Sequence, residues 1–130
     1  MKDFISQIEC AGTIGITGHI HPDGDCIGSC LGLKQFIAEQ YPDKQVDVYL
    51  ESVGEEFLFL NEAGSVLTEP QDRAYDLFFV LDCSSEDRFE PFQDLVKKAG
   101  TVFCIDHHIS NQGLGDFCTA DPEASATCEV

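Results

Sequence analysis

The sequence predicts an α/β fold, a mostly parallel sheet flanked by helices on both faces. Three observations carry this reading. Short β-branched or aromatic runs alternate with segments of helical period along the whole chain. The runs at 76–81 and 101–105 are almost continuously apolar, as strands covered on both faces are. Three of the apolar runs end in aspartate or histidine, side chains that parallel strands would bring to one sheet edge.

In chain order, residues 3–10 set Phe4, Ile5 and Ile8 at helical spacing, and Gly12 stops that helix. Residues 13–17 are a short β-branched strand, and 18–24 a loop broken by Pro22 and Gly24. From Asp25 to about Tyr41, Ile27, Leu31, Phe36 and Ile37 form one apolar helix face, which Pro42 ends. Gly28 and Gly32 lie one turn apart in that helix, where they lower propensity but admit a close neighbour. Residues 46–50 read as a second strand, 55–61 as a short helical turn, and 76–81 as a buried strand. Residues 91–99 read as a helix opened by Pro91 and closed at Gly100, followed by a buried strand at 101–105. A further strand fits within 113–120. Asp121-Pro122-Glu123 reads as a helix start, with Asp121 as N-cap and Pro122 in the first helical position. That helix would have barely two turns by Val130, so the expectation is a fragment of a longer chain. There is no internal repeat, low-complexity tract or linker.

With 130 residues there is room for one domain and a real core. A hydrophobic content of 43% with 24% charged residues is that of a folded soluble chain rather than a disordered one. No apolar run could span a bilayer, and no basic segment followed by an apolar core opens the chain, so a cytoplasmic location without a membrane is expected. The seven cysteines form no CxxC pair and sit mostly in apolar runs, which suggests reduced core thiols in a reducing compartment. A net charge of −17 argues against tight binding to long nucleic acid, whose phosphates require Lys and Arg. It leaves room for a short phosphate substrate held by metal ions. Carboxylates crowded into one site also repel one another unless a cation neutralises them.

The stretch Gly18-His19-Ile20-His21-Pro22-Asp23-Gly24-Asp25-Cys26-Ile27-Gly28-Ser29 follows the first strand. Val80-Leu81-Asp82 and Ile105-Asp106-His107-His108 end two others. Carboxylates suit Mg²⁺ and Mn²⁺, and added imidazoles move the preference toward Mn²⁺, Fe²⁺, Co²⁺ or Zn²⁺. An Asp-x-Asp pair on an irregular loop can face two ions, and a single aspartate such as Asp82 can bridge them. Each motif by itself has a plainer reading: a turn, a surface histidine pair, a helix cap. Their joint occurrence at three strand ends points to a dinuclear metal site. His21 reads as a loop residue near that site and not as a ligand.

These motifs resemble those of the DHH phosphoesterase superfamily. His19-x-x-Pro22-Asp23-x-Asp25-x-x-Gly28-Ser29 is similar to its first motif, Asp82 with Asp87-Arg88 to its second, and Asp106-His107-His108 to its third. Residues 106–111, with Gly113 and Asp116, and the run 121–127 resemble the branch of bifunctional oligoribonucleases and pAp phosphatases, the nanoRNases. The resemblance covers nearly the whole chain.

The resemblance implies a phosphoesterase with two divalent ions, Mn²⁺ foremost and Mg²⁺ or Co²⁺ as alternatives. His19, Asp23 and Asp82 would hold one ion; Asp25, Asp82 and His107 would hold the other, with Asp82 bridging. His108 would contact the scissile phosphate, and Asp106 would orient a ligand histidine. Arg88 and Asn111 are weaker candidates for substrate contacts. The implied reaction is attack on phosphorus by a hydroxide that the two ions activate. The substrates would be short oligoribonucleotides or small nucleotide phosphates, including 3′-phosphoadenosine 5′-phosphate. Neither long duplex nucleic acid nor a membrane is expected as partner, and a homodimer is compatible with the sequence.

Alternatives within the superfamily are a cyclic-dinucleotide phosphodiesterase and a manganese pyrophosphatase. The alternative of another class is a non-catalytic α/β domain that binds metal or a partner. Set against the superfamily pattern, the expectation is that these 130 residues stop before a later metal-ligand aspartate and do not include the C-terminal DHH-associated domain. Residues 1–130 are thus expected to be the N-terminal part of a DHH domain, binding metal weakly and poorly active or inactive in isolation.

Overall fold

The computed structural model of the chain describes residues 2–60, 63–83, 86–108 and 115–130. Its helices are α1 (Lys2–Cys10), α2 (Gly24–Gln40) and α3 (Gln93–Lys98). Its strands are β1 (Thr13–Thr17), β2 (Gln45–Tyr49), β3 (Leu77–Leu81), β4 (Thr101–Asp106) and β5 (Phe117–Ala120). Single 3₁₀ turns or short 3₁₀ stretches lie at Glu55–Phe57, Ala63–Ser65, Glu86–Phe92 and Thr127–Glu129.

Strand β3 is apolar at every position because both of its faces are covered. All five of its residues are buried. Leu77, Phe79 and Leu81 enter one core, together with Ile8 of α1, Ile27, Leu31 and Ile37 of α2, and Ile14 and Ile16 of β1. Phe78 and Val80 enter the other, with Tyr49, Phe92, Leu95 and Val96. The sheet is therefore flanked by α1 and α2 on one face and by α3 with its preceding 3₁₀ stretch on the other, as parallel sheets require.

The strand order is β2-β1-β3-β4-β5, and every pairing is parallel. The order reverses direction between β1 and β3. Ligand sites in such sheets form at that reversal, beyond the carboxyl ends of the strands. Here the register sets Thr17 beside Val80 and Leu81 beside Ile105, so the residues following all three strands emerge side by side.

Helix α2 begins where Asp23 accepts a hydrogen bond from the Cys26 N–H at 3.0 Å. It ends at Tyr41, the residue before Pro42, where the proline ring disfavours helical backbone. None of the seven cysteines forms a disulfide; Cys26, Cys30, Cys83 and Cys104 are buried and Cys10, Cys118 and Cys128 exposed. Among the described residues, no helix is long and apolar enough to cross a membrane.

Two segments differ from the sequence reading. Pro91 does not open a helix; it sits within the 3₁₀ stretch, which kinks at Phe89, and α3 starts at Gln93. The kink lets both Phe89 and Phe92 reach the second core, where each is only 2% exposed. The helix expected from Asp121 does not form either. Asp121 caps a turn through the Glu123 N–H at 3.1 Å. The chain is extended by Ala126, and only a 3₁₀ turn follows. The amides a helix would use there are engaged by a carboxylate one hundred residues earlier, at the sheet edge.

Candidate metal centre

His19 follows β1 and is 7% exposed. Its Nδ1 lies 2.7 Å from the Ile20 carbonyl, an acceptor only, so the Nδ1–H donates and Nε2 is the nitrogen turned to the acids. Nε2 stands 3.3 Å from Asp82 Oδ2 and 3.7 Å from Asp23 Oδ1. The hydrogen bond to Asp82 outweighs burial and pushes His19 up to about 9. A proton on Nε2 then sits where a cation between these groups would. The loop is pinned by the Ile20 N–H, which donates to the Arg88 carbonyl at 2.5 Å. His21 turns away: its ring is exposed and faces Glu51 at 3.4 Å.

Asp82 is the hub. It follows β3 with a φ of 55°, a left-handed conformation uncommon for non-glycine residues but more accessible to aspartate than to most. It is 2% exposed. One carboxylate oxygen, Oδ2, faces His19. The other, Oδ1, lies 3.4 Å from His107 Nε2 and accepts the Thr127 hydroxyl at 2.9 Å. His107 Nε2 is also 3.4 Å from Asp25 Oδ2. The two oxygens of Asp82 thus look into two separate nests, His19 with Asp23 and His107 with Asp25.

Asp25 is held from the far end of the chain. Its Oδ2 accepts the Thr127 N–H and its Oδ1 the Cys128 N–H, each at 2.9 Å. Burial opposes its ionisation, and those two amides more than offset the burial, holding the carboxyl below its ordinary range. Ser29, one turn along α2, donates to Asp25 Oδ1 at 3.4 Å.

Asp106 closes β4 fully buried. Its Oδ1 accepts the His107 N–H at 2.8 Å and the His108 Nδ1–H at 2.6 Å. It therefore orients the ring of His108, while His107 is oriented through its backbone. The two imidazoles lie with centroids 4.5 Å apart, one aimed at the acids and the other half-exposed.

The structure thus brings together His19, Asp23, Asp25, Asp82, Asp106, His107 and His108. Among the described residues, Arg88 meets the site through its carbonyl, and its side chain is exposed. Asn111 lies outside the described residues. Thr127, Cys128 and the thiol of Cys26 escaped the sequence reading. The hydroxyl-rich run 125–127 was visible, but nothing in local pattern links it to an aspartate 102 residues away.

The donors suit divalent cations. Among the described residues, the ion-pair partners of Asp23, Asp25 and Asp82 are all histidines. Adjacent carboxylates without a lysine or arginine require another positive charge to share one pocket. Oxygen and imidazole donors at these positions offer it a place.

Residues 13–130 match the DHH family, N-terminal domain. A protein of Streptococcus mutans described as a probable bifunctional oligoribonuclease and PAP phosphatase NrnA is 30% identical over 99% of this chain and 40% of its own length. The bifunctional oligoribonuclease and PAP phosphatase NrnA of Bacillus subtilis is 29% identical over 98% of this chain and 39% of its own. The crystal structure of an exopolyphosphatase-related protein from Bacteroides fragilis superposes with a TM-score of 0.88 at 27% identity, covering 97% of this chain and 39% of that one. The chain spans about 40% of the length of these relatives. With the family's N-terminal domain model matched from the first strand to the last residue, this chain belongs to the DHH family.

Proposed function

We propose that this chain is the metal-binding part of a phosphoesterase that hydrolyses short oligoribonucleotides and 3′-phosphoadenosine 5′-phosphate with two divalent cations, Mn²⁺ foremost. The observation that carries this reading is Asp82, whose two oxygens face two separate histidine–aspartate pairs. The names of the S. mutans and B. subtilis relatives support the choice of substrate. In this reading residues 1–130 are the N-terminal part of a DHH phosphoesterase domain.

His19, Asp23 and Asp82 Oδ2 would hold one ion; Asp25, His107 and Asp82 Oδ1 would hold the other. When bound, such a pair supplies Lewis acidity at a phosphate and an activated water for in-line attack. The chain's own groups do the positioning. The Thr127 and Cys128 amides hold both oxygens of Asp25, and the Thr127 hydroxyl holds Asp82 Oδ1. Asp106 fixes His108 through Nδ1, which turns Nε2 outward; as an imidazolium the ring would donate from Nε2 to a phosphate oxygen as charge develops there. A domain this acidic would accept an anionic substrate only through cations at the site.

The test is turnover by the full-length protein, with and without Mn²⁺, of a short oligoribonucleotide and of 3′-phosphoadenosine 5′-phosphate, beside His107→Ala. Metal-dependent release of nucleotide or phosphate, lost in the variant, is expected. Turnover of pyrophosphate, polyphosphate or a cyclic dinucleotide in place of both substrates would replace the substrate assignment. Silence on all of them would leave a metal-binding domain without catalysis.

A further inference from the structure

Cys26 opens the first turn of α2, directly after Asp25, and is fully buried. Hydrophobic burial explains a thiol in a core, but this one is not surrounded only by hydrocarbon. Its Sγ, a ring nitrogen of His19 and a carboxylate oxygen of Asp82 lie within 4.8 Å of one another, and all three residues are buried. Space for the sulfur is made by Gly18, the residue before His19, where a Cβ would overlap it. The next thiol along the helix, Cys30, is equally buried but, among the described residues, shares no such group with histidine and aspartate. Cys128 instead contacts the Ser29 hydroxyl at 3.2 Å and the Asp25 carbonyl at 3.5 Å.

We propose that Cys26 is a sulfur donor to the ion held by His19 and Asp82, an inference that rests on the metal reading above. Sulfur binds borderline and soft cations in preference to hard ones, whereas carboxylates favour Mg²⁺ and Mn²⁺. For the ion in the His19 half this revises the Mn²⁺-first assignment above and shifts the preference toward Zn²⁺, Co²⁺ or Fe²⁺. The Asp25–His107 half, with Asp82 Oδ1, keeps a harder ion, so the pair is mixed. Bond lengths of ~2.0 Å to nitrogen or oxygen and ~2.3 Å to sulfur put tetrahedral donors roughly 3.5 Å apart. His19 and Asp82 already meet that at 3.3 Å, and the Cys26 sulfur, within 4.8 Å of both, would turn toward them to complete the set. As the metal–sulfur bond forms, the S–H proton leaves to solvent.

The experiment strips the full-length protein with a chelator and titrates it with Co²⁺, reading absorption in the near-ultraviolet and visible. Sulfur ligation gives a strong sulfur-to-cobalt charge-transfer band; oxygen and nitrogen ligation gives only weak d–d bands. The band is expected in the native protein and in Cys30→Ser, and absent from Cys26→Ser, which keeps its d–d bands. The preference for Zn²⁺ over Mn²⁺ should fall roughly tenfold or more in Cys26→Ser. A native protein that binds Co²⁺ without the band, or a band unchanged in Cys26→Ser, overturns the role of Cys26. The metal reading survives that result if His19→Ala weakens binding. No Co²⁺ binding at all overturns both. Should Cys26→Ser fail to fold, cadmium NMR of the native protein and Cys30→Ser decides: a resonance in the range of oxygen and nitrogen ligation alone overturns the proposal.

Discussion

Raising the pH of the chelated protein should destabilise it through His19. The folded protein holds this imidazole at about 9 because Asp82 bonds to it in a nearly closed pocket, against 6.5 for the ordinary side chain. Folding therefore strengthens proton binding. The stabilisation is fully present below 6.5 and is lost as the pH rises through 9. At ~1.4 kcal/mol for each pH unit, that difference amounts to about 3 kcal/mol. For a domain of this size the loss should lower the melting temperature by roughly 10 °C. The assay is denaturant or thermal unfolding of the chelated full-length protein from pH 6 to 10, beside His19→Gln, since cysteines and tyrosines titrate in the same range. The difference between the two proteins should shrink by about 3 kcal/mol across the series. With Mn²⁺ present the trend should flatten or reverse, because cation and proton compete for the same nitrogen. Parallel curves for the native protein and the variant would refute the pairing of His19 with Asp82.

Other perturbations separate the roles around the site. Thr127→Val removes the hydroxyl that Asp82 Oδ1 accepts at 2.9 Å; metal affinity by titration calorimetry should fall ~10-fold or more while the circular dichroism spectrum is kept. His108→Ala should leave metal stoichiometry unchanged and lower kcat by ~10² to 10⁴; a matching loss of metal would make His108 a ligand instead. Tyr75→Phe breaks a chain in which the Tyr75 hydroxyl lies 2.5 Å from that of Tyr49 and 2.7 Å from Asp47. It should cost about 1–3 kcal/mol in denaturant unfolding with turnover unchanged, and an equal loss of turnover would tie that remote cluster to the site.

Much of this protein is decided locally and can be read along the chain. Runs of β-branched and aromatic residues specify β1, β3 and β4, because such side chains fit a pleated surface covered from both sides. The acids and histidines that follow those runs inevitably leave the sheet at its carboxyl edge once the strands are parallel. What the local pattern cannot contain is set by partners distant in sequence. Strand order puts β1 beside β3 and so joins His19 to Asp82. The left-handed backbone at Asp82, which splits its two oxygens between two histidines, is held by that packing. Asp106 selects His108 and not the ring of His107 because only the former presents its Nδ1–H to a fully buried oxygen. The helix signal at 121–123 loses for a related reason: Asp25 accepts the amides of Thr127 and Cys128. A partly buried carboxylate accepting two N–H groups is worth more than a last helical turn of weak formers. The residue types that make the chemistry are thus written in the sequence, whereas the pairing of each oxygen with its donor exists only when strands and turns from both ends of the chain meet at one edge.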